Sequence, residues 1–131
     1  MQSAEIILYV RSQERAKRFY DAVLGIEARL HVPNMTEYQL STGCVLGLMP
    51  SASIVRLLGG AIPDPETASG VPRVELYLMV DEPQLYLDRA LAAGATALSP
   101  LAERDWGHEA AYCLDLDHHV LAFAREIPKD A

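Results

Sequence analysis

Seven side chains of this chain combine the types and spacing that could do chemistry: Glu5, Tyr9, Glu75, Tyr77, Arg104, Trp106 and His108. Glu5 opens the apolar run Glu5-Ile-Ile-Leu-Tyr-Val10, and Glu75 opens Glu75-Leu-Tyr-Leu-Met-Val80. Both runs read as strands, in which alternate side chains face opposite ways. Leu8 and Val10 share a face with Ile6 and should pack on a helix; Glu5, Ile7 and Tyr9 then face the other side. The second run divides likewise, with Glu75, Tyr77 and Met79 away from the helix. A carboxylate heading an apolar strand is costly if its face is dry. Its recurrence at the same place twice points to a wet, concave face lined by both acids. The competing reading is a pair of solvated strand ends. A carboxylate facing a low-dielectric cup would have a raised pKa and could act as a general base. Glu75, beside Tyr77 and Met79, is the candidate for that catalytic role.

The second polar cluster is Glu103-Arg-Asp-Trp-Gly-His-Glu109, which holds the only Trp of the chain. Trp106 with Arg104 and His108 can clamp a flat or anionic ligand by stacking and charge. Alternatively the indole packs on the core edge and Arg104 pairs with Asp105 or a neighbour. His118-His119 resembles a metal pair, but adjacent strand residues point to opposite faces and cannot chelate one ion together. His118 falls where a tight turn wants positive φ. His31 is isolated, and neither a Ser-His-Asp set nor a phosphate-cradling glycine loop is present.

The elements that must position these residues read as one unit written twice. After the first strand, Ser12 is a plausible N-cap, and Ala16, Phe19, Tyr20, Val23 and Leu24 recur at helical spacing before Gly25. After the second, Asp81 is the expected N-cap, Pro83 lies in the first turn, and Tyr86, Leu87, Ala90 and Leu91 form the stripe before Gly94. Three strand-like pieces follow each helix: Ala28–Val32, Glu37–Ser41 and Cys44–Met49, then Thr96–Leu98, Ala110–Leu114 and Val120–Arg125. Tyr38-Gln-Leu40 aligns with Tyr112-Cys-Leu114 at an offset of 74. The result is a single domain over residues 1–131: βαβββ modules at 5–50 and 75–125, joined by a connecting loop at 51–74. Within that loop Ile54–Leu58 could form a helical turn, and glycines and prolines keep the rest irregular.

Composition excludes several functions. Eighteen acids against eleven bases give a net charge of −7, which disfavours nucleic acid as a partner. The densest basic group, Arg11, Arg15, Lys17 and Arg18, reads as a solvated helix face. No apolar run approaches the roughly 20 residues that span a bilayer, so no membrane partner is expected. MQSAEIILYVRS lacks the basic start of a signal peptide. Cys44 and Cys113, with no CxxC, read as small buried hydrophobes in a reducing cytosol, so the expected location is cytoplasmic.

The paired modules, with FYDAVLG after the first strand, VELYLMVD opening the second, RDWG before a late strand and DLDHHVLAFA at the end, resemble the vicinal oxygen chelate superfamily. That group comprises glyoxalases, bleomycin-resistance proteins and extradiol dioxygenases, and the resemblance covers about residues 4–126. It implies an α+β fold: tandem βαβββ modules forming one curved mixed β-sheet cup, with helices on the outside. It also implies a homodimer. Metal-binding members hold one divalent ion in the cup, with ligands from the first and last strand of each module. Carried onto this chain, the first-strand positions are Glu5 and Glu75, whereas the last-strand positions fall on Gly47 and Ala122, which have no donor atoms. Two carboxylates alone bind transition metals weakly. The expectation is therefore a bleomycin-resistance-like protein that binds a small organic molecule in its cup, without metal or other cofactor. Two alternatives stand beside it. One is a metal-dependent lyase or isomerase of glyoxalase type, drawing outside ligands from His108, Glu37 or a partner chain. The other is a non-catalytic interaction module.

Overall fold

The apolar runs and their caps fold into two consecutive βαβββ units in a computed structural model, which describes residues 1–128. The first unit spans Met1–Ser69 and the second begins at Gly70.

The first unit contains β1 (Ala4–Val10), α1 (Gln13–Leu24), β2 (Leu30–Val32), β3 (Met35–Ser41) and β4 (Cys44–Pro50). Its sheet runs β1-β4-β3-β2, with β1 parallel to β4 and the other pairs antiparallel. α1 begins where expected, because Ser12 Oγ accepts from the Arg15 amide at 3.3 Å and Gly25 takes the left-handed conformation at φ 66°. Its buried stripe is Ala16, Phe19, Tyr20, Val23 and Leu24. The stripe covers a sheet face made of Leu8, Tyr38, Leu46 and Leu48, all buried and in register with one another. The Tyr38 hydroxyl crosses to α1 and donates to Asp21 Oδ1 at 2.7 Å. Ile6 was expected in this layer but is 45% exposed, because it lies on an edge strand while α1 packs on β3 and β4. β3 starts two residues earlier than the pattern indicated, since Asn34 at φ 78° makes the turn that feeds it.

The connecting segment is more ordered than a loop. α2 (Ser51–Leu57) starts directly from β4, and Pro65–Ala68 forms a 3-10 turn whose N-cap, Asp64, accepts from the Glu66 amide at 2.9 Å. Glu66 ties that turn to the unit by accepting from Ser51 Oγ at 2.5 Å and from Arg11 Nε at 3.3 Å.

The second unit contains β5 (Glu75–Met79), α3 (Pro83–Ala92), β6 (Thr96–Glu103), β7 (His108–Leu114) and β8 (Val120–Glu126), in the sheet order β5-β8-β7-β6. The N-cap of α3 is Glu82 rather than Asp81, with Pro83 at the first helical position. β6 runs to Glu103, well past the expected Leu98. Pro100 lies within it, which is tolerated because β6 is an edge strand with register shifts between Ala97 and Ala102. His118 has φ 66°, as the turn required. Each repeat thus forms its own four-stranded mixed sheet, and together they give the expected α+β tandem architecture.

One element of the repeat alignment is corrected by the register. Glu37 pairs with Gly47, and Tyr112 pairs with Ala122, so the counterpart of Tyr112 is Glu37 and not Tyr38. Tyr38 is the counterpart of Cys113, and both are buried on the helix side. The slip is one residue, which in a strand exchanges one face for the other.

Candidate functional site

Each sheet has one face under its helix and one face free of it, and the register assigns side chains to the latter. On the first unit's free face, Glu5, Ile7 and Tyr9 of β1 stand beside Val45, Gly47 and Met49 of β4, with Glu37 and Gln39 of β3 beyond. On the second, Glu75, Tyr77 and Met79 of β5 stand beside Val120, Ala122 and Ala124 of β8, with Tyr112, Ala110 and His108 of β7 beyond. The alternation read from the sequence therefore holds in both units.

The first free face carries an acid pair. Desolvation, followed by the hydrogen bond and charge of Glu37, pushes the Glu5 carboxyl above its ordinary range, against a lesser opposing pull from Arg29. Glu37 is held by Arg29, whose Nε donates to Glu37 Oε1 at 2.9 Å while its Nη1 donates to Gln39 Oε1 at 2.8 Å. Two carboxyl groups that share a hydrogen bond need one proton between them. The Glu5 carboxyl is the one pushed upward, so the proton belongs on Glu5. Gly47 makes room for this: a Cβ there would fall on Glu5 Oε2 and lie 3.0 Å from Ile7 Cγ1.

The second free face carries a hydrogen-bonded aromatic cluster. Trp106 Nε1 donates to the Tyr77 hydroxyl at 2.8 Å, and that hydroxyl lies 2.7 Å from His108 Nδ1. The Tyr77 and His108 rings are 5.7 Å apart and inclined by 31°. Ala110, Ala122 and Ala124 on this face are fully buried. Trp106 keeps 55% of its surface exposed. Three of the residues singled out from the sequence, on two separate segments, are thus brought into direct contact.

Arg104 belongs to the same hairpin but is engaged differently. It does not pair with Asp105. Its Nη2 donates to Ser99 Oγ, Pro100 O and Ala110 O at 2.8–3.0 Å, and its Nε donates to Ala110 O at 3.2 Å. Its guanidinium lies 5.1 Å over the Tyr112 ring. Desolvation and the charges of Glu75 and Tyr77 push the Tyr112 hydroxyl upward against Arg104, which marks these groups as neighbours. Tyr112, Arg29 and Gln39 were not singled out from the sequence, and Glu37 appeared there only as an outside metal ligand. Correct strand register would have found Glu37 and Tyr112, because each flanks the small residue of the last strand.

Tyr9 is half-buried on the first free face, and Glu75 is exposed at the head of β5. His31 belongs to the helix side, where Nδ1 lies 2.7 Å from Thr36 Oγ1 and Nε2 lies 3.1 Å from Glu14 Oε1. His119 is buried against Asp115, with Nδ1 at 2.8 Å from Oδ2.

The donor set for the metal that the resemblance implies fits poorly here. Gly47 and Ala122, at the last-strand ligand positions, offer no donor atom, and the register confirms that both lie on the free faces. Glu5 is already turned over Gly47 toward Glu37. Among the described residues, no three His, Cys, Asp or Glu side chains gather as a metal would need.

Tandem βαβββ units, each with a helix-covered and a helix-free sheet face, define the class of fold to which this chain belongs. The sequence profile of the Glyoxalase/Bleomycin resistance protein/Dioxygenase superfamily matches residues 2–123, and the chain belongs to that superfamily. Among solved structures, a glyoxalase-related enzyme from Fulvimarina pelagi shares 26% identity at a TM-score of 0.80, covering 95% of this chain and 88% of that one. A glyoxalase/bleomycin resistance protein/dioxygenase family enzyme from Burkholderia phytofirmans PsJN shares 18% at 0.75, covering 94% and 97%. A glyoxalase/bleomycin resistance protein/dioxygenase from Nocardioides shares 17% at 0.75, covering 99% and 85%. No curated protein matches the chain. No helix among the described residues is long and apolar enough to cross a membrane.

Proposed function

We propose that this protein binds a small organic molecule on a helix-free sheet face and does so without a metal. The observation that carries the proposal is the cluster of Tyr77, Trp106 and His108. Three polar aromatic groups, from β5, from β7 and from the turn that precedes β7, are linked by hydrogen bonds through the Tyr77 hydroxyl, and the indole remains exposed. Locking these side chains before a ligand arrives lowers the ordering cost of binding. On the first unit's free face Glu5 and Tyr9 are the proposed polar contacts, and on the second unit's free face Glu75 and Arg104 stand with the aromatic cluster. Arg104 acts mainly through the hairpin that it braces. Glu75 is the proposed general base for any reaction on the bound molecule. It is exposed, so that role depends on the ligand covering it.

The protein is further proposed to work in the cytoplasm as a homodimer. Exposed Ile6, Ile7, Leu30 and Val32 support self-association, since apolar side chains on edge strands favour cover. Light scattering reads the oligomeric state directly.

A ligand screen by thermal shift tests the binding reading, because a compound at 100 times its Kd adds about 2.7 kcal/mol of stability. Trp106 fluorescence should change with the same compounds. Elemental analysis of protein purified without chelator tests the metal-free part. Stoichiometric Ni, Zn, Mn or Fe would instead support a glyoxalase-type lyase or isomerase. If no compound in a broad screen shifts the melting curve, a non-catalytic interaction module becomes the better account.

A further inference from the structure

We propose that the Tyr77 cluster fixes the hydrogen-bond polarity of the second free face, and that its ligand is therefore a planar conjugated molecule carrying an acceptor oxygen. This rests on the small-molecule reading and narrows it.

The Trp106 indole N–H can only donate, so the Tyr77 oxygen accepts from it across 2.8 Å. The same oxygen lies 2.7 Å from His108 Nδ1, and two arrangements could make that second bond. In one, the phenol O–H donates to a bare Nδ1, and the imidazole hydrogen sits on Nε2. In the other, Nδ1–H donates to a phenol oxygen that already accepts from Trp106. The second arrangement asks the phenol to accept twice, although one of its lone pairs is delocalised into the ring. It also leaves the phenol hydrogen without a partner among the described residues. The first joins a good donor to a strong acceptor and leaves one group unmatched, His108 Nε2–H. Each arrangement leaves one donor unmatched, but only the second also makes the phenol oxygen accept twice and leaves the Nε2 acceptor bare, so the first prevails.

The relay therefore runs from Trp106 to Tyr77 to His108, and it ends in an N–H that has no protein partner among the described residues. His108 is half-buried, so this donor is already partly stripped of water. In the same cluster the Trp106 indole is 55% exposed and cannot turn freely, because its N–H is held by Tyr77. A flat apolar surface and a fixed donor are complementary to a conjugated ring bearing a carbonyl or carboxylate oxygen. An ammonium group would confront an N–H donor, and the Arg104 guanidinium over Tyr112 lies on the same hairpin. Glu75 and Glu126 share this face at exposed positions, where solvent screens them.

The test uses the full chain and three probes with one ring: 2-naphthoate, 2-acetonaphthone and 2-naphthylmethylamine. Nitrogen-15 NMR of the histidines should place His108 in the Nε2–H tautomer. Titration should show both oxygen-bearing probes binding at least about tenfold more tightly than the amine, the worth of one matched donor. Tyr77→Phe, checked for an unchanged fold by its melting curve, should lose the tautomer preference and most of the discrimination. An Nδ1–H tautomer, or an amine that binds as tightly as the acceptors, overturns the inference and leaves the small-molecule reading standing. If the tautomer is as assigned and none of the three probes binds, the ligand class fails and the relay remains, while the small-molecule reading stands or falls with the broad thermal-shift screen.

Discussion

The Glu5 carboxylate occupies the space that a side chain at position 47 would need. The glycine and the acid are therefore coupled, and the missing metal-ligand donor in β4 is the same feature that lets Glu5 reach Glu37. Glycine within a strand costs about 0.5–1 kcal/mol relative to alanine. Gly47→Ala should realise that gain only when Glu5 is absent. In the Glu5→Ala background it is expected to stabilise the fold, and in the parent chain it should be neutral or destabilising as Glu5 is displaced and Ile7 crowded. Urea unfolding of the four proteins should give a coupling of at least about 0.5 kcal/mol. Additive effects would show that the two side chains do not meet.

Glu5 also gives the protein a pH signature. Its carboxyl is raised above the ordinary value of 4.5, first by desolvation and then by Glu37. The folded state thus holds that proton more tightly than the unfolded chain. The resulting stabilisation is complete below pH 4.5 and is lost as pH rises through the folded value. Glu5→Gln removes the titration, so the variant should gain on the parent as pH climbs from 4.5 through that window. The gain should stay under about 1 kcal/mol, because the group is largely solvated. Parallel stability-against-pH curves for the two proteins would dismiss the shared proton.

Much of this arrangement was legible in the sequence, because period-two and period-3.6 patterns of apolar residues specify faces directly. Leu8, Val10 and the α1 stripe from Ala16 to Leu24 were placed correctly on that basis, as were Ser12, Gly25 and the positive φ of His118. What failed was register. Tyr38 and Tyr112 look equivalent in a linear alignment, yet one lies under α1 and the other on the free face. Only the pairing of β3 with β4 and of β7 with β8 decides that, and pairing is a non-local property. The length of β6 beyond Leu98 was missed for a related reason: a strand can continue through Pro100 only at a sheet edge, and edges are set by pairing. The link from Tyr77 to His108 and Trp106 was anticipated only as shared membership in a ligand site, because hydrogen bonds between side chains 29 and 31 residues apart leave no periodic trace.

Asp115 should be the residue that holds the turn between β7 and β8. Its side chain is 1% exposed, and its Oδ1 accepts from the amides of Asp117 at 2.9 Å and His119 at 2.8 Å. Its Oδ2 meets His119 Nδ1 at 2.8 Å. Asp115→Ala strands these donors and should cost about 3 kcal/mol, since each buried unmet donor costs about 1–3. Asp115→Asn keeps an acceptor for the amides and can donate to the other imidazole tautomer, so it should cost less than half as much. Equal losses in the two variants, read by urea unfolding, would mean that the charge and not the bonding pattern matters.

Arg104 should govern how rigidly Trp106 is presented. The strand β6 is out of register between Ser99 and Ala102, and Arg104 closes that irregularity by donating to Ser99, Pro100 and Ala110. Its own amide donates to His108 O at 2.8 Å, and Gly107 N donates back to Arg104 O at 3.3 Å, which completes the turn holding the indole. Arg104→Met preserves the aliphatic stem and removes every side-chain donor, at an expected cost of about 1–3 kcal/mol. The more telling measurement is the fluorescence anisotropy of the single Trp. It should fall in Arg104→Met, because an indole freed from Tyr77 samples other rotamers. Arg104→Lys should restore it only in part, since one ammonium cannot reach three acceptors fixed by a planar fork. If both variants lose stability while the anisotropy stays at the parent value, Arg104 serves the hairpin alone and has no part in presenting the indole.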